Sequence, residues 1–301
     1  MAEPLRVDVH MHLYPSEDAG RREKEEYEIW EYGPKPDVVF SRFDGDVDDA
    51  LEAMRVAGFS HAVVANLFAT ALLDERDRAA GPERWAERLI ESNRWACELA
   101  AEHPALTAFV AMDPGVLGDD EAASHLREMA EGHGARGIKL HPVLGGYMPD
   151  DPRMDGVYRT CVELGLSVLS HTGSDREGAG YAEPRSFAPV LAAYPGLVLV
   201  LAHLGGANWK QTADLARAYP QAVFDLCEII EWTGAPSAPT AEELGHLIAE
   251  IGPERVMLGT DFPWYDLDRT VDLVTALPGL SVGERESILG ANAARILHLE
   301  V

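Results

Sequence analysis

The chain has 301 residues, 47% of them hydrophobic and 25% charged, which suits a globular protein large enough for one sizeable core. With 51 acidic against 25 basic residues the formal charge is -26, a balance that repels polynucleotide backbones and anionic membrane surfaces. The three cysteines, Cys97, Cys161 and Cys227, are odd in number and widely spaced; this excludes a disulfide scaffold and a thiolate zinc site and suggests buried thiols.

In chain order, Leu5-Arg-Val-Asp-Val-His10-Met-His12 reads as a strand that delivers two histidines two positions apart. Alternate residues of a strand share a face, so both imidazoles can approach one ion, although two histidines alone do not complete a coordination shell. From Leu13 to Asp44 the sequence reads as a long irregular segment. It carries Pro15, Pro34 and Pro36, a charged run Arg21-Arg-Glu-Lys-Glu-Glu26, and the aromatics Tyr27, Trp30, Tyr32 and Phe40. The charged run reads as a solvated helical face. The segment as a whole is a candidate substrate cover beside the metal, since long connections on a rigid scaffold often carry binding groups.

A regular alternation follows. A helix from about Asp46 puts Ala50, Met54 and Ala57 on one face and stops at Gly58, and His61-Ala-Val-Val-Ala65 is a buried strand. A helix over about 82–103 leads to the strand at 106–112. Helices ending near Gly132, Gly165 and Pro195 precede strands that end on His141, His171 and His203. A helix to about Tyr219 precedes the strand at 222–226. Thr240 and Glu243 form a capping box for the next helix, whose exit leads to Arg255-Val-Met-Leu-Gly-Thr-Asp261.

About eight apolar strands, each followed by a helix, predict a parallel sheet buried on both faces. With one composition zone over 1–301, the expected fold is a single (β/α)8 TIM barrel domain with a long loop insertion after the first strand. No Gly-x-Gly-x-x-Gly follows the first strand, which disfavours a dinucleotide site. No basic leader or membrane-length apolar run is visible in the sequence, so cytoplasmic residence is the default expectation.

In such a barrel all C-terminal strand ends surround one mouth. His10, His12, Lys139, His141, His171, His203 and Asp261 are therefore expected to converge. A lone strand-end histidine is more often a hydrogen-bonded core residue, but several at equivalent positions are poorly explained that way. Asp8 reads as core at the strand base, and Glu228 and Arg153 as solvated charges. Trp209, Trp232, Trp264 and Tyr265 are candidates for an apolar pocket wall. His61 reads as structural, and His103, His125, His133, His246 and His298 as surface or interface residues.

The pattern Val-Asp-Val-His10-Met-His12, Gly-Ile-Lys139-Leu-His141-Pro, Ser-His171-Thr-Gly, Ala-His203-Leu-Gly-Gly and Leu-Gly-Thr-Asp261-Phe-Pro resembles the amidohydrolase superfamily. Within it the chain is most similar to the amidohydrolase-related branch, which holds aminocarboxymuconate semialdehyde decarboxylase, resorcylate-type decarboxylases and dicarboxylate lactonases. The resemblance implies His10, His12, His171 and Asp261 as ligands of one divalent ion per chain, zinc first and manganese as the alternative. It implies His203 and Asp261 as catalytic groups, with Lys139, His141 and Trp264 toward a small-molecule substrate. A carboxylated Lys139 bridging two ions, as in binuclear members, is the less favoured arrangement. The leading reading is a metal-dependent hydrolase that activates water against an amide, ester or lactone. The alternative is a nonoxidative decarboxylase on the same site. A catalytically silent metal-binding barrel and phosphotriester chemistry rank lower. A homo-oligomer is left open, and neither a nucleic-acid nor a membrane partner is expected.

Overall fold

The structure, a computed structural model, describes residues 5–32 and 43–300. Eight parallel strands follow one another in sequence order: β1 (Val7–Met11), β2 (His61–Ala65), β3 (Leu106–Ala111), β4 (Gly137–Leu140), β5 (Ser167–Ser170), β6 (Leu199–Leu201), β7 (Val223–Asp225) and β8 (Val256–Met257). Helices fill the connections and cover the outside of the sheet. Residues of one parity along each strand, such as Val64, Val110, Ile138 and Leu201, pack with the helix residues Met54, Leu89, Leu126 and Ile248. Val63, Phe109, Leu169, Val200 and Met257, of the other parity, form a separate cluster. Two apolar layers on one sheet are what make these strands read as continuous apolar runs.

Local chemistry sets the helix ends where the sequence puts them. Asp46 caps the helix Val47–Ala57 by accepting from the Asp49 amide at 2.8 Å, and Gly58 ends it at φ 72°. The Thr240/Glu243 capping box opens the helix Ala241–Ile251. No described helix is long and apolar enough to cross a membrane.

The segment after β1 differs from its expected irregular form. Residues Glu17–Tyr32 form a 16-residue helix, α1, because the charged run leaves Tyr27 and Trp30 helically spaced to pack with Leu67, Leu72 and Leu144. Pro34, Pro36 and Phe40 lie outside the described residues. His125 is a second correction: it is buried, and its Nε2 lies 3.1 Å from Asn93 Nδ2, in a network that also binds the Ala111 backbone. His61 is structural as expected, its Nε2 2.8 Å from Thr107 Oγ1.

Closure between β8 and β1 is made by single contacts rather than a regular ladder. The Val9 amide donates to Leu258 O, the Asp261 amide to His10 O and the His12 amide to Phe262 O, at 3.0, 2.9 and 2.7 Å. Asp8 fastens this seam. Its Oδ1 accepts from the His10 and Thr260 amides at 2.9 and 3.0 Å, and its Oδ2 accepts from Thr260 Oγ1 at 2.5 Å. Burial pushes the Asp8 carboxyl up to about 7, against the pull of those three donors. Asp8 is thus a buried brace between the first and last strands. Because Thr260 Oγ1 also accepts from the Phe262 amide at 3.2 Å, Thr260→Val leaves two buried groups unsatisfied. It should lower unfolding free energy in urea by about 1–3 kcal/mol; an unchanged unfolding midpoint would contradict the brace.

Candidate active site

The strand ends deliver their polar side chains to one cavity of about 20 Å³, lined by His10, His12, Tyr27, Leu67, Lys139, His141, His171, His203, Glu228, Asp261, Trp264 and Tyr265. Every strand-end residue expected at the mouth is there. The backbone turns sharply to achieve this. His203, Glu228 and Asp261, which follow β6, β7 and β8, hold φ values of 60°, 61° and 60°, and Leu204 sits at 46°. Non-glycine residues rarely adopt that region, and such outliers concentrate at functional sites.

Among the described residues three groups of donors could hold an ion: His10 with His12 and Asp261, His10 with Asp225 and Cys227, and His203 with Cys227 and Asp261. His10, His12 and Asp261 each offer a ligand atom within 4.8 Å of the other two. His12 Nε2 lies 3.1 Å and His10 Nε2 3.7 Å from Asp261 Oδ1. His171 lines the same cavity but stands outside this trio: its Nδ1 is 3.1 Å from His203 Nε2, and its ring stacks on His141 at 4.1 Å between centroids. Lys139 is 97% buried and donates from Nζ to His10 Nε2 at 2.5 Å. His141 accepts from the Leu144 amide through Nδ1 at 3.2 Å and meets Tyr27 OH through Nε2 at 3.4 Å.

Burial dominates the electrostatics. It pushes His10, His141 and His171 well below the ordinary histidine range, and the neighbouring cation Lys139 or another imidazole adds to the effect. Burial likewise lowers Lys139, with Asp261 opposing. Burial works against a charge on Asp261 too, yet His10, His12 and His203 outweigh it and hold this carboxyl well below the usual carboxylate range. The result is a set of neutral imidazoles around one anionic oxygen pair, the protonation state in which nitrogen and oxygen donors bind a divalent cation.

Sequence reasoning missed two members of the site. Asp225 Oδ2 accepts from His10 Nδ1 at 3.0 Å, and its Oδ1 accepts from the His203 amide at 2.8 Å. Cys227 Sγ touches His10 Nδ1 and His203 Nδ1 at 2.9 and 3.0 Å. The signal was the two-residue spacing of Asp225 and Cys227 at the end of β7, which gives them one face. Glu228, read from sequence as a solvated charge, lines the mouth, with Oε2 3.4 Å from His203 Nδ1. Arg153 is tied to Asp151 and to Pro114 O, away from the cavity. Trp264 is a mouth residue, 5.4 Å from the His12 ring and 5.0 Å from Tyr27, whereas Trp209 packs against the outer core.

Comparison with known proteins gives this barrel its class. Residues 7–299 match the Amidohydrolase family model, and the chain belongs to that family; it is an enzyme of the amidohydrolase superfamily. It is 27% identical over 197 residues to 2-amino-3-carboxymuconate-6-semialdehyde decarboxylase of Dictyostelium discoideum, a match covering 56% of this chain and 54% of the relative. The chain thus spans about half the length of that curated relative. Two solved structures share the fold. One is 5-carboxyvanillate decarboxylase from Sphingomonas paucimobilis, 16% identical with a TM-score of 0.70 over 99% of this chain and 100% of the other. The second is a dihydroxybenzoic acid decarboxylase from Polaromonas with bound manganese and the inhibitor 2-nitroresorcinol, 16% identical with a TM-score of 0.71 over 99% and 98%.

Neutral buried histidines also predict a pH dependence. Their folded-state pKa values lie below the ordinary 6.5, so the unfolded chain binds protons more readily. Stability in chelator should be fully present above about pH 6.5 and fall as pH drops toward 5. The Asp8 carboxyl, raised to about 7, works in the opposite direction over this range, so the histidine contribution is read as the difference between the urea profiles of the wild type and His171→Gln; identical slopes would contradict the assignment of that ring as neutral.

Proposed function

We propose that the chain is a divalent-metal-dependent, nonoxidative decarboxylase of a small planar unsaturated or aromatic acid, with residues 1–301 acting as one catalytic unit. The observation that carries this reading is the make-up of the mouth: the buried His10 and His12 and the partly buried Asp261 face an aromatic wall of Tyr27, Trp264 and Tyr265. Aromatic faces suit a flat conjugated substrate. The names of the three decarboxylases reported above support the same reaction. Hydrolysis, which the sequence puts first, rests partly on the absence of arginine at the strand ends. Lys139 answers that argument, since one buried ammonium can receive a substrate carboxylate.

The donor set fits a metal. Two neutral imidazoles and an ionised carboxylate in a buried cavity are ordinary ligands for zinc or manganese, and the carboxylate partner of His10, Asp225, is the kind of neighbour that orients a ligating ring. We assign His10, His12 and Asp261 to the ion, with His171 as the fourth ligand, and one ion per chain. A bound divalent ion supplies Lewis-acid stabilisation of the negative charge that develops on the substrate. Lys139 holds the substrate's anionic end, and its bond to His10 Nε2 must give way when that nitrogen binds the ion. Trp264 and Tyr27 fix the plane of the substrate, and His141 adds a hydrogen-bonding edge beside Tyr27. When the carbon–carboxylate bond breaks, carbon dioxide leaves, the electron pair stays on the substrate carbon, and that carbon takes a proton. We assign His203 and Asp261 to the handling of this proton: each presents a lone pair at the mouth that can take a proton from solvent and pass it to that carbon.

Carbon dioxide release from 2,6-dihydroxybenzoate, 5-carboxyvanillate and amino-carboxymuconate semialdehyde, beside a panel of lactones and amides, tests the proposal. The expected result is release from at least one acid by zinc- or manganese-loaded protein, abolished by chelator and restored by metal. Turnover confined to lactones or amides would return the hydrolytic reading to first place. Lys139→Ala should lower kcat/KM on the active acid by at least about 100-fold, roughly 3 kcal/mol of lost transition-state stabilisation, without changing the metal content measured by elemental mass spectrometry.

A further inference from the structure

His10 on β1 and His203 after β6 belong to different strands, yet one atom touches both. The Cys227 sulfur lies 2.9 Å from His10 Nδ1 and 3.0 Å from His203 Nδ1. Unlike Cys97 and Cys161, which pack in the outer core with the helices, Cys227 belongs to the inner cluster and is fully buried. Asp225 completes the bracket, bonding His10 Nδ1 through Oδ2 and the His203 and Cys227 amides through Oδ1, the last at 3.2 Å. The chain makes room for this approach. A side-chain carbon at Gly259 would come within 2.9 Å of His10 Cβ and 3.1 Å of Cys227 Cβ, so only glycine on the β8 extension lets the two residues meet.

The network also fixes which ring nitrogen carries the proton. A neutral imidazole has one donor and one acceptor nitrogen. His10 Nε2 accepts from the Lys139 ammonium, so Nδ1 is the protonated atom, and it points at Asp225 and the sulfur. His203 Nδ1 faces three acceptors: the sulfur, Cys227 O at 3.2 Å and Glu228 Oε2 at 3.4 Å. That nitrogen too is a donor, and His203 Nε2 is left to accept from His171 Nδ1.

We propose that Cys227 is a positioning residue whose sulfur, wedged against Nδ1 of both His10 and His203, holds the two rings at a fixed separation, so that both turn Nε2 to the mouth. The inference rests on the reading of His10 as a metal ligand and His203 as the imidazole that takes and passes the substrate's proton through Nε2. It links the metal-binding side of the mouth to the proton-transfer side through one atom.

Nitrogen-15 histidine NMR of the metal-free protein tests this without any reaction, with His10→Gln and His203→Gln supplying the assignments. Both rings should be single Nδ1–H tautomers in the wild type and in Cys227→Ser, which keeps an acceptor. In Cys227→Ala, and in Cys227→Val, which keeps side-chain bulk, the Nδ1 resonance of at least one of the two rings should shift and broaden as that ring loses its fixed position. Zinc affinity, measured by chelator competition, should fall roughly 10-fold or more in the Ala and Val variants and stay near wild type in the Ser variant, with the thermal midpoint recorded for each. Unchanged Nδ1 resonances of both rings in the Ala and Val variants would overturn the proposal. So would a thiolate charge-transfer band in the cobalt-loaded wild type, which would make the sulfur a direct ligand. A wild type that binds no zinc would sink the metal reading, while the ring-nitrogen resonances would still decide the role of the sulfur.

Discussion

Burying ionisable groups is the constraint on which this structure depends. Lys139, His10, His12, His141, His203, Asp8 and Asp225 are all less than 9% exposed, and each isolated charge in such surroundings carries a penalty of several kcal/mol or more. The molecule meets that cost by pairing. Asp8 takes three donors, two of them from Thr260 across the seam, Asp225 takes the His10 ring and the His203 backbone, and Lys139 finds an imidazole lone pair. Burial holds His10, His141 and His171 neutral, and the rings around Asp261 keep its carboxyl anionic. Strain at His203, Glu228 and Asp261 belongs to this arrangement, since the left-handed turns at the ends of three neighbouring strands bring the side chains to one point.

The fold was largely legible because it rests on local patterns. Apolar runs of strand length, helix stops such as Gly58 and the Thr240/Glu243 box lie in contiguous sequence, and parallel strands buried on both faces announce themselves by continuous hydrophobicity. The convergence of strand-end histidines followed from the architecture. What the sequence could not show were relations between distant residues. The departure of His171 from the trio depends on its contacts with His141 and His203. The helix α1 depends on packing of Tyr27 and Trp30 against residues at 67, 72 and 144. His125 looked like a surface histidine because its partner, Asn93, lies 32 residues away. Cys227 looked like an inert core thiol, since nothing local reveals that 217 residues earlier a ring nitrogen will lie against it.

The functional account combines two kinds of support. Family membership fixes the superfamily, and the chemistry of the mouth narrows the reading further. A carboxylate, neutral imidazoles and a buried ammonium can serve either hydrolysis or decarboxylation; the aromatic wall and the reactions named for similar proteins favour an acid that loses carbon dioxide. The cavity at the metal donors encloses only about 20 Å³, room for an ion and a small oxygen ligand rather than a whole substrate.

The central claim is that the strand ends form a one-ion site around His10, His12 and Asp261, with Lys139 left free to meet the substrate. Anomalous X-ray scattering at the zinc or manganese edge, from crystals of the metal-loaded protein, tests it most directly. The account predicts a single peak per chain bounded by His10 Nε2, His12 Nε2 and the Asp261 carboxylate, with unmodified Lys139 outside its coordination shell. Two peaks bridged by a modified Lys139, or none among these residues, would contradict it.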